Sequence, residues 1–227
     1  MAISRAQAAS APPGVRAEQV IPDPIAVSDW PLRIQKDRYL LWIGRMSELK
    51  GPHRAIVAAR HADLPLVLAG PIQPGQKDFF DAEIAPHLDG RCVSYVGEVG
   101  GRTKWELFSR ARAVLMPIRW AEPFGMVMIE ALACGTPVIS FPEGAATEIV
   151  VHGHNGFLVA DEGEMARAVG QLWRIDPRAC RDSVTRRYGV AAVAAEYESI
   201  YRWTAARAAG PGPPLLELSL VAPARAD

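Results

Sequence analysis

Two pairs of charged residues in this chain are spaced to hold a ligand that carries both negative charge and hydroxyl groups. Arg45 and Lys50 lie in GRMSELKG, just past the short apolar run YLLWIG, which reads as a strand. Lys50 and Gly51 fall where the next helical pattern begins. A helix N-terminus draws anions through its free N–H groups and its dipole. A guanidinium and an ammonium beside it make a diphosphate clamp. From this loop alone, a solvated turn with ordinary surface charges is the commoner reading.

The second pair, Glu122 and Glu130, stands eight residues apart in WAEPFGMVMIEALACGTP. Pro123 suits the first turn of a helix, which predicts Glu122 just outside a helix spanning Phe124–Ala133 and Glu130 about two turns in. Carboxylates so placed contact different parts of one ligand rather than form a dyad, and each accepts hydrogen bonds well from the vicinal hydroxyls of a ribose or hexose. Gly125 lets the backbone come close to a ligand. Taken alone, the pair also reads as one capping acid and one surface acid.

Smaller features fall in neighbouring loops. Gly70-Pro71, Gly97-Glu98-Val99 and Gly144–Glu148 each follow an apolar run. The second of these can border a nucleobase and the third can offer N–H groups to phosphate, although taken alone an ordinary turn is the commoner reading of each. His152 and His154 have the look of a metal pair without a third ligand, and no metal is expected. No DxD acid pair, GxSxG elbow or GxxxxGK[ST] loop is present. Gly97-x-x-Gly100-Gly101 does not make the dinucleotide fingerprint, which counts against a dehydrogenase.

The elements that must position these residues alternate. Strands are predicted at Tyr39–Gly44, Leu64–Gly70, Cys92–Val96, Ala113–Ile118, Pro137–Phe141 and Gly156–Val159. Helices are predicted at Gly51–His61, Lys77–Leu88, Arg102–Ala111, Phe124–Ala133, Glu162–Ile175 and Ala191–Ala208, with a short one over Arg5–Ala11. Continuous apolar strands alternating with helices indicate an α/β fold, a Rossmann-like parallel sheet of about six strands with helices on both faces. Ligands of such sheets bind past the carboxyl ends of the strands. Residues 1–37, broken by five prolines, read as a lead-in, residues 38–208 as the domain, and residues 209–227 as a disordered tail.

Composition narrows the function. Lysine plus arginine balances aspartate plus glutamate at 25 each, so a nucleic-acid partner is not expected. The basic stretch Arg181–Arg187 reads as the solvated face of a helix. Three widely spaced cysteines make neither a disulfide framework nor a zinc set and fit a reducing cytoplasm. Cys92 and Cys134 are expected to be buried. The start lacks the apolar core of a signal peptide, and no run reaches the roughly 18 apolar residues of a membrane span. Peripheral contact with a membrane stays open.

At the chemistry-bearing residues the chain resembles a known family. EPFGMVMIEALACGTPVI is similar to the E-x7-E segment of the family-four, or group 1, glycosyltransferases, and GRMSELKG to their GR-x4-KG phosphate loop. YVGEV, GAATEIV and HGHNGFLV resemble the later loops in order and spacing, so the likeness runs over roughly residues 37 to 205. It implies the C-terminal, donor-binding half of a GT-B fold enzyme that transfers a hexosyl group from a nucleotide diphosphate sugar, UDP- or GDP-linked, with retention and without a metal or other cofactor. Arg45 and Lys50, with Gly44 beside them, would hold the diphosphate. Glu122 would contact the transferred sugar, together with the backbone of Phe124, Gly125, Met126 and Val127. Arg45, Lys50 and Glu122 would serve the reaction, Glu130 would take the ribose hydroxyls, and Val96, Gly97 and Val99 would line the base pocket.

Against that family the chain is short. AISRAQAA and VIPDPIAV resemble the end of a first domain and a linker, with Asp23 and Pro24 where IPNGID is usual. The resemblance therefore implies a missing N-terminal acceptor domain, supplied in trans or replaced by a homo-oligomer built on the apolar face of the last helix. The alternative is a catalytically incomplete nucleotide-sugar-binding module. A nucleotide-sugar epimerase shares the alternating sheet but not these motifs.

Overall fold

The structure, a computed structural model, describes residues 1–208. The tail expected over 209–227 lies outside the described residues. Six apolar runs form one parallel sheet: β1 Leu40–Ile43, β2 Leu66–Ala69, β3 Val93–Tyr95, β4 Ala113–Met116, β5 Val138–Ser140 and β6 Gly156–Leu158, in the order β3-β2-β1-β4-β5-β6. All four residues of β1 and of β4 are buried, as a strand covered on both faces requires. In register, Leu40 stands beside Leu66 on one side and Ala113 on the other.

The helices are α1 Arg5–Ala9, α2 Pro52–His61, α3 Lys77–Glu83, α4 Gly101–Arg110, α5 Met126–Ala133, α6 Ala146–Ile149, α7 Glu162–Val169, α8 Pro177–Tyr188 and α9 Val190–Ala208. From β1 the chain steps to β2, and from β4 it steps the opposite way to β5. Right-handed crossovers therefore put α2 and α5 on opposite faces. On one face α2 packs against α7, and on the other α5 packs against α4 and α8. The long helix expected over Lys77–Leu88 ends at Glu83 and continues as a 3-10 turn, Ala85–His87, and the one expected over Glu162–Ile175 breaks in the same way before the turn Leu172–Arg174. In the first of these Pro86 lacks the N–H an α-helix needs there.

Two half-buried polar clamps stitch the layers at the end of the sheet away from the strand carboxyl ends. The Lys36 ammonium donates to the carbonyls of Ser109 (2.8 Å) and Cys134 (3.0 Å) and to Thr136 Oγ1 (2.7 Å), taking up carbonyls where α4 and α5 finish. Burial lowers its pKa to about 8. The Arg181 guanidinium donates to the carbonyls of Val27, Trp30 and Ala133. This corrects its reading as part of a solvated face: the charge ties the lead-in to α5 and α8. Cys134 and Cys180 are buried, whereas Cys92, expected inside, is exposed at the start of β3.

The lead-in packs on the sheet domain. Ile21 and Ile25 are buried, and the Ile25 N–H donates to the carbonyl of Tyr188. Ser4 caps α1 by accepting from the Gln7 N–H, while Glu148 accepts from the Arg5 and Ala6 N–H groups. Beyond Val193, α9 is mostly exposed, Tyr201 and Trp203 included. No helix among the described residues is long and apolar enough to cross a membrane.

Candidate functional site

The strand order reverses between β1 and β4, and the connections leaving their carboxyl ends diverge there. Such a reversal opens a crevice, the usual ligand position of an open parallel sheet. A cavity of about 360 Å³ fills it. One wall is the end of β1, from Trp42 to Arg45, with Lys50 beyond it, and the other is the connection from β4 into α5, from Ile118 to Val127. Ile3 of the lead-in also reaches this cavity, and Ser4 Oγ donates to the carbonyl of Pro123.

Local sequence explains how Lys50 comes to face Glu122. After Ser47 the chain makes a 3-10 turn, Glu48–Lys50, and then turns left-handed at Gly51 (φ 73°) so that Pro52 can open α2. Gly51 lies against the carbonyl of Pro117, where a side chain would collide. Trp42 Nε1 donates to the Lys50 carbonyl at 3.1 Å, which pins the lysine backbone to the core. The Lys50 ammonium forms an ion pair with Glu122 and stands 5.0 Å from the centre of the Trp120 ring. Both partners are mostly buried, with 17% and 14% of their side chains exposed. The attraction is therefore less screened than that of a surface pair.

Arg45 is exposed at the mouth and forms no ion pair among the described residues. It also borders an adjoining cavity of about 330 Å³, with Ser47, Gln73 and Gln76. His53 adds no further cation: burial, and after it the Arg54 guanidinium, push its imidazole below the ordinary 6.5.

The Glu122 backbone is braced from behind. Gly144, left-handed at φ 53°, packs directly on it, and the Ala145 N–H donates to the Glu122 carbonyl at 2.9 Å. The Ala146 N–H goes to Glu143. The Ala145 and Ala146 N–H groups, which the sequence offers to phosphate, are spent within the protein, and this part of the loop braces Glu122.

Pro123 does not open the helix. Gly125 turns left-handed (φ 90°) and α5 begins at Met126, so Glu130 stands just over one turn in rather than two. No side chain caps the N-terminus of α5.

Of the residues singled out from the sequence, the cavity brings together Gly44, Arg45, Lys50, Glu122, Phe124, Gly125, Met126 and Val127. Val96, Gly97 and Val99 stand apart, past β3 at the edge of the sheet. Val96 is exposed, Val99 half-buried, and the Gly97 carbonyl accepts from the Gly70 N–H at 2.7 Å. Glu130 is not on the cavity wall, yet Met126 and Val127, one turn earlier in α5, are. It is buried, with 7% exposed, and its Oε1 accepts from Lys104 Nζ at 2.7 Å. Its Oε2 is enclosed without a partner among the described residues. Lys104 gave no signal in the sequence, since α4 carries several charges and nothing marks the one that turns inward.

His152 Nδ1 lies 3.2 Å from both the N–H and the carbonyl of Leu158, so the ring serves the turn before β6. Among the described residues no three His, Cys, Asp or Glu side chains converge as a metal set.

This strand order, with its crevice at the reversal, matches one half of a GT-B glycosyltransferase. The family model for glycosyl transferases group 1 matches residues 27–181, and the chain belongs to that family. It is 30% identical over 207 residues to a glycogen synthase of Mycobacterium tuberculosis, covering 83% of this chain and 49% of that protein. It is 29% identical over 208 residues to a D-inositol 3-phosphate glycosyltransferase of Stackebrandtia nassauensis, covering 85% and 45%. The chain thus spans about half the length of these relatives. Among solved structures, AviGT4, a glycosyltransferase involved in avilamycin A biosynthesis, superposes with a TM-score of 0.77 at 29% identity, over 90% of this chain and 63% of that one. HepE of Anabaena, determined with UDP and glucose, shares the fold with a TM-score of 0.77 at 22% identity, over 89% and 62%.

Proposed function

We propose that this chain is the donor-binding half of a retaining glycosyltransferase, taking a nucleotide diphosphate sugar and passing its hexosyl group to an acceptor held by an N-terminal domain. The observation that carries the reading is the set of charges at the switch point: Arg45 at the cavity mouth, with no ion pair among the described residues, and Lys50 against Glu122 on its wall. Arg45, Lys50 and the uncapped start of α5 put positive potential where a diphosphate would lie.

In the reaction the bond from the anomeric carbon to the diphosphate oxygen breaks and its electron pair leaves with the diphosphate. The acceptor oxygen forms the new bond on the same face, and its O–H bond breaks, the proton passing to the departing diphosphate oxygen. Arg45 and Lys50 stabilise the charge that develops on the leaving group, which is where preorganised cations act most strongly. Glu122, freed from Lys50 in part by the arriving diphosphate, accepts hydrogen bonds from the sugar hydroxyls. Glu130 takes the ribose, and the base lies toward Val96, Gly97 and Val99. Binding needs this half alone and transfer needs both.

Calorimetric titration with UDP and with GDP, first without metal and then with magnesium, tests the reading. The expected result is metal-independent binding of one nucleotide, the HepE complexes making UDP the first probe. Binding of neither by a folded chain would contradict it.

A further inference from the structure

We propose that Lys104 is a positioning residue for the nucleotide's ribose: it fixes one oxygen of Glu130 so that the other is presented to a hydroxyl. This rests on the reading that Glu130 takes the ribose.

Lys104 sits in the first turn of α4, against α5, and its ammonium is 2.7 Å from Glu130 Oε1. The pair is largely withdrawn from water, with 27% and 9% of the two side chains exposed. Aromatic rings hold the cation in place, the Trp30 ring at 5.7 Å and the Phe108 ring at 5.8 Å from its nitrogen. Trp30 is in turn fixed edge-on to Phe108, and its carbonyl accepts from Arg181. The ammonium is therefore anchored by the scaffold, and the carboxylate is oriented by it.

The other oxygen is the telling one. Glu130 Oε2 is enclosed and has no hydrogen-bond partner among the described residues. An enclosed carboxylate oxygen without a donor is costly to stability. A staple between α4 and α5 would have no use for it, since a lysine–methionine or leucine–leucine contact would join the helices without that cost. A ligand hydroxyl supplies the missing donor. Side chains in a helix lean toward its N-terminus, which carries the Glu130 carboxylate toward the turn of Met126 and Val127, both on the cavity wall. Lys104 engages one carboxylate oxygen and leaves the other free to accept from a hydroxyl.

The test is calorimetry on the full chain with UDP and GDP and with their 2′-deoxy and 3′-deoxy counterparts, for the wild type, Glu130→Gln, Lys104→Met and Lys104→Arg. The wild type is expected to favour the ribonucleotide over at least one deoxy form by roughly tenfold or more, the worth of a hydrogen bond to a charged group. Glu130→Gln and Lys104→Met should both bring that ratio close to one, and Lys104→Arg should restore most of it. A Lys104→Met protein that keeps the full ratio while melting at a lower temperature would overturn the proposal and leave Lys104 a structural staple. A Glu130→Gln protein that keeps the ratio would instead sink the ribose role of Glu130, a separate failure. Should Lys104→Met not fold, Lys104→Gln, which keeps a neutral donor, is expected to show an intermediate ratio, and an unchanged ratio there overturns the proposal equally.

Discussion

Helices α2, α5 and α7 each follow a strand carboxyl end, of β1, β4 and β6, but they begin differently. α7 starts at Asp161, in extended conformation, whose carboxylate accepts from the Glu164 N–H at 2.7 Å, and Glu162 and Glu164 add negative charge to its first turn. α2 and α5 start at glycines in the left-handed region, with no side chain bonded to their first N–H groups and no acid in their first turns. The side-chain cap that α7 has is worth about 1 kcal/mol. At the switch point that stability is forgone, and Arg45 and Lys50 add positive charge where an acid would have been stabilising. Helices α3, α4 and α6 also lack a side-chain cap, so the absence of a cap alone does not mark the switch point; what sets α2 and α5 apart is the left-handed glycine at each N-cap, with Arg45 and Lys50 beside them.

The comparison can be broken most forcefully at Gly125. An added side chain at φ 90° meets both backbone strain and the end of the Met128 side chain. Gly125→Ala is expected to lower stability by about 2 kcal/mol and nucleotide affinity by roughly tenfold, checked by denaturant melts and calorimetry. A variant that binds normally would show that the left-handed start of α5 is incidental to the site.

A second effect belongs to the scaffold side of the same helices. Cys134, at the end of α5, and Cys180, in α8, are buried, and burial pushes both thiols from 9.0 up to about 12. The unfolded chain releases those protons above about pH 9 while the folded chain keeps them. This contribution to stability is complete below pH 9 and is lost as pH rises from there. Lys36 works the other way, since its ordinary 10.5 is lowered to about 8 in the fold, but it is one proton against the two thiols and, above pH 10, the Tyr39 and Tyr188 hydroxyls as well, which burial raises from 10.0 to about 12. Stability should therefore fall above pH 9 by on the order of 1 kcal/mol per pH unit, and Cys180→Ala should flatten the fall in a melting series. A flat wild-type profile would contradict this.

The smallest effect is the control for the largest. Asp161→Ala removes a cap and should cost about 1 kcal/mol of stability while leaving nucleotide affinity unchanged. A loss of affinity there would erase the distinction between the two kinds of helix start.

Much of this arrangement is legible in the sequence. The six strands are continuous apolar runs with turn residues at their ends, and Lys50-Gly51-Pro52 marks the start of α2 in residue types alone. What was hidden depends on contacts far apart in the chain. Pro123 suggested a helix start, yet the left-handed Gly125 delays it and the Pro123 carbonyl bonds to Ser4. Arg181 looks like one of several surface arginines until Val27 and Trp30 are brought under it. Lys104 has the same anonymity, because its partner is 26 residues away on another helix. Gly144 looks free to offer N–H groups to phosphate because no local pattern reveals that Glu122 lies against it.

The central claim, that the charges at the β1–β4 reversal exist to bind a diphosphate, is tested most directly by comparing Lys50→Ala with the wild type for UDP or GDP and for the parent nucleoside. The account predicts that the substitution weakens the diphosphate by roughly 30-fold or more, the loss of a charge-assisted contact, and leaves the nucleoside nearly unaffected. Equal weakening of both, or of neither, would contradict it.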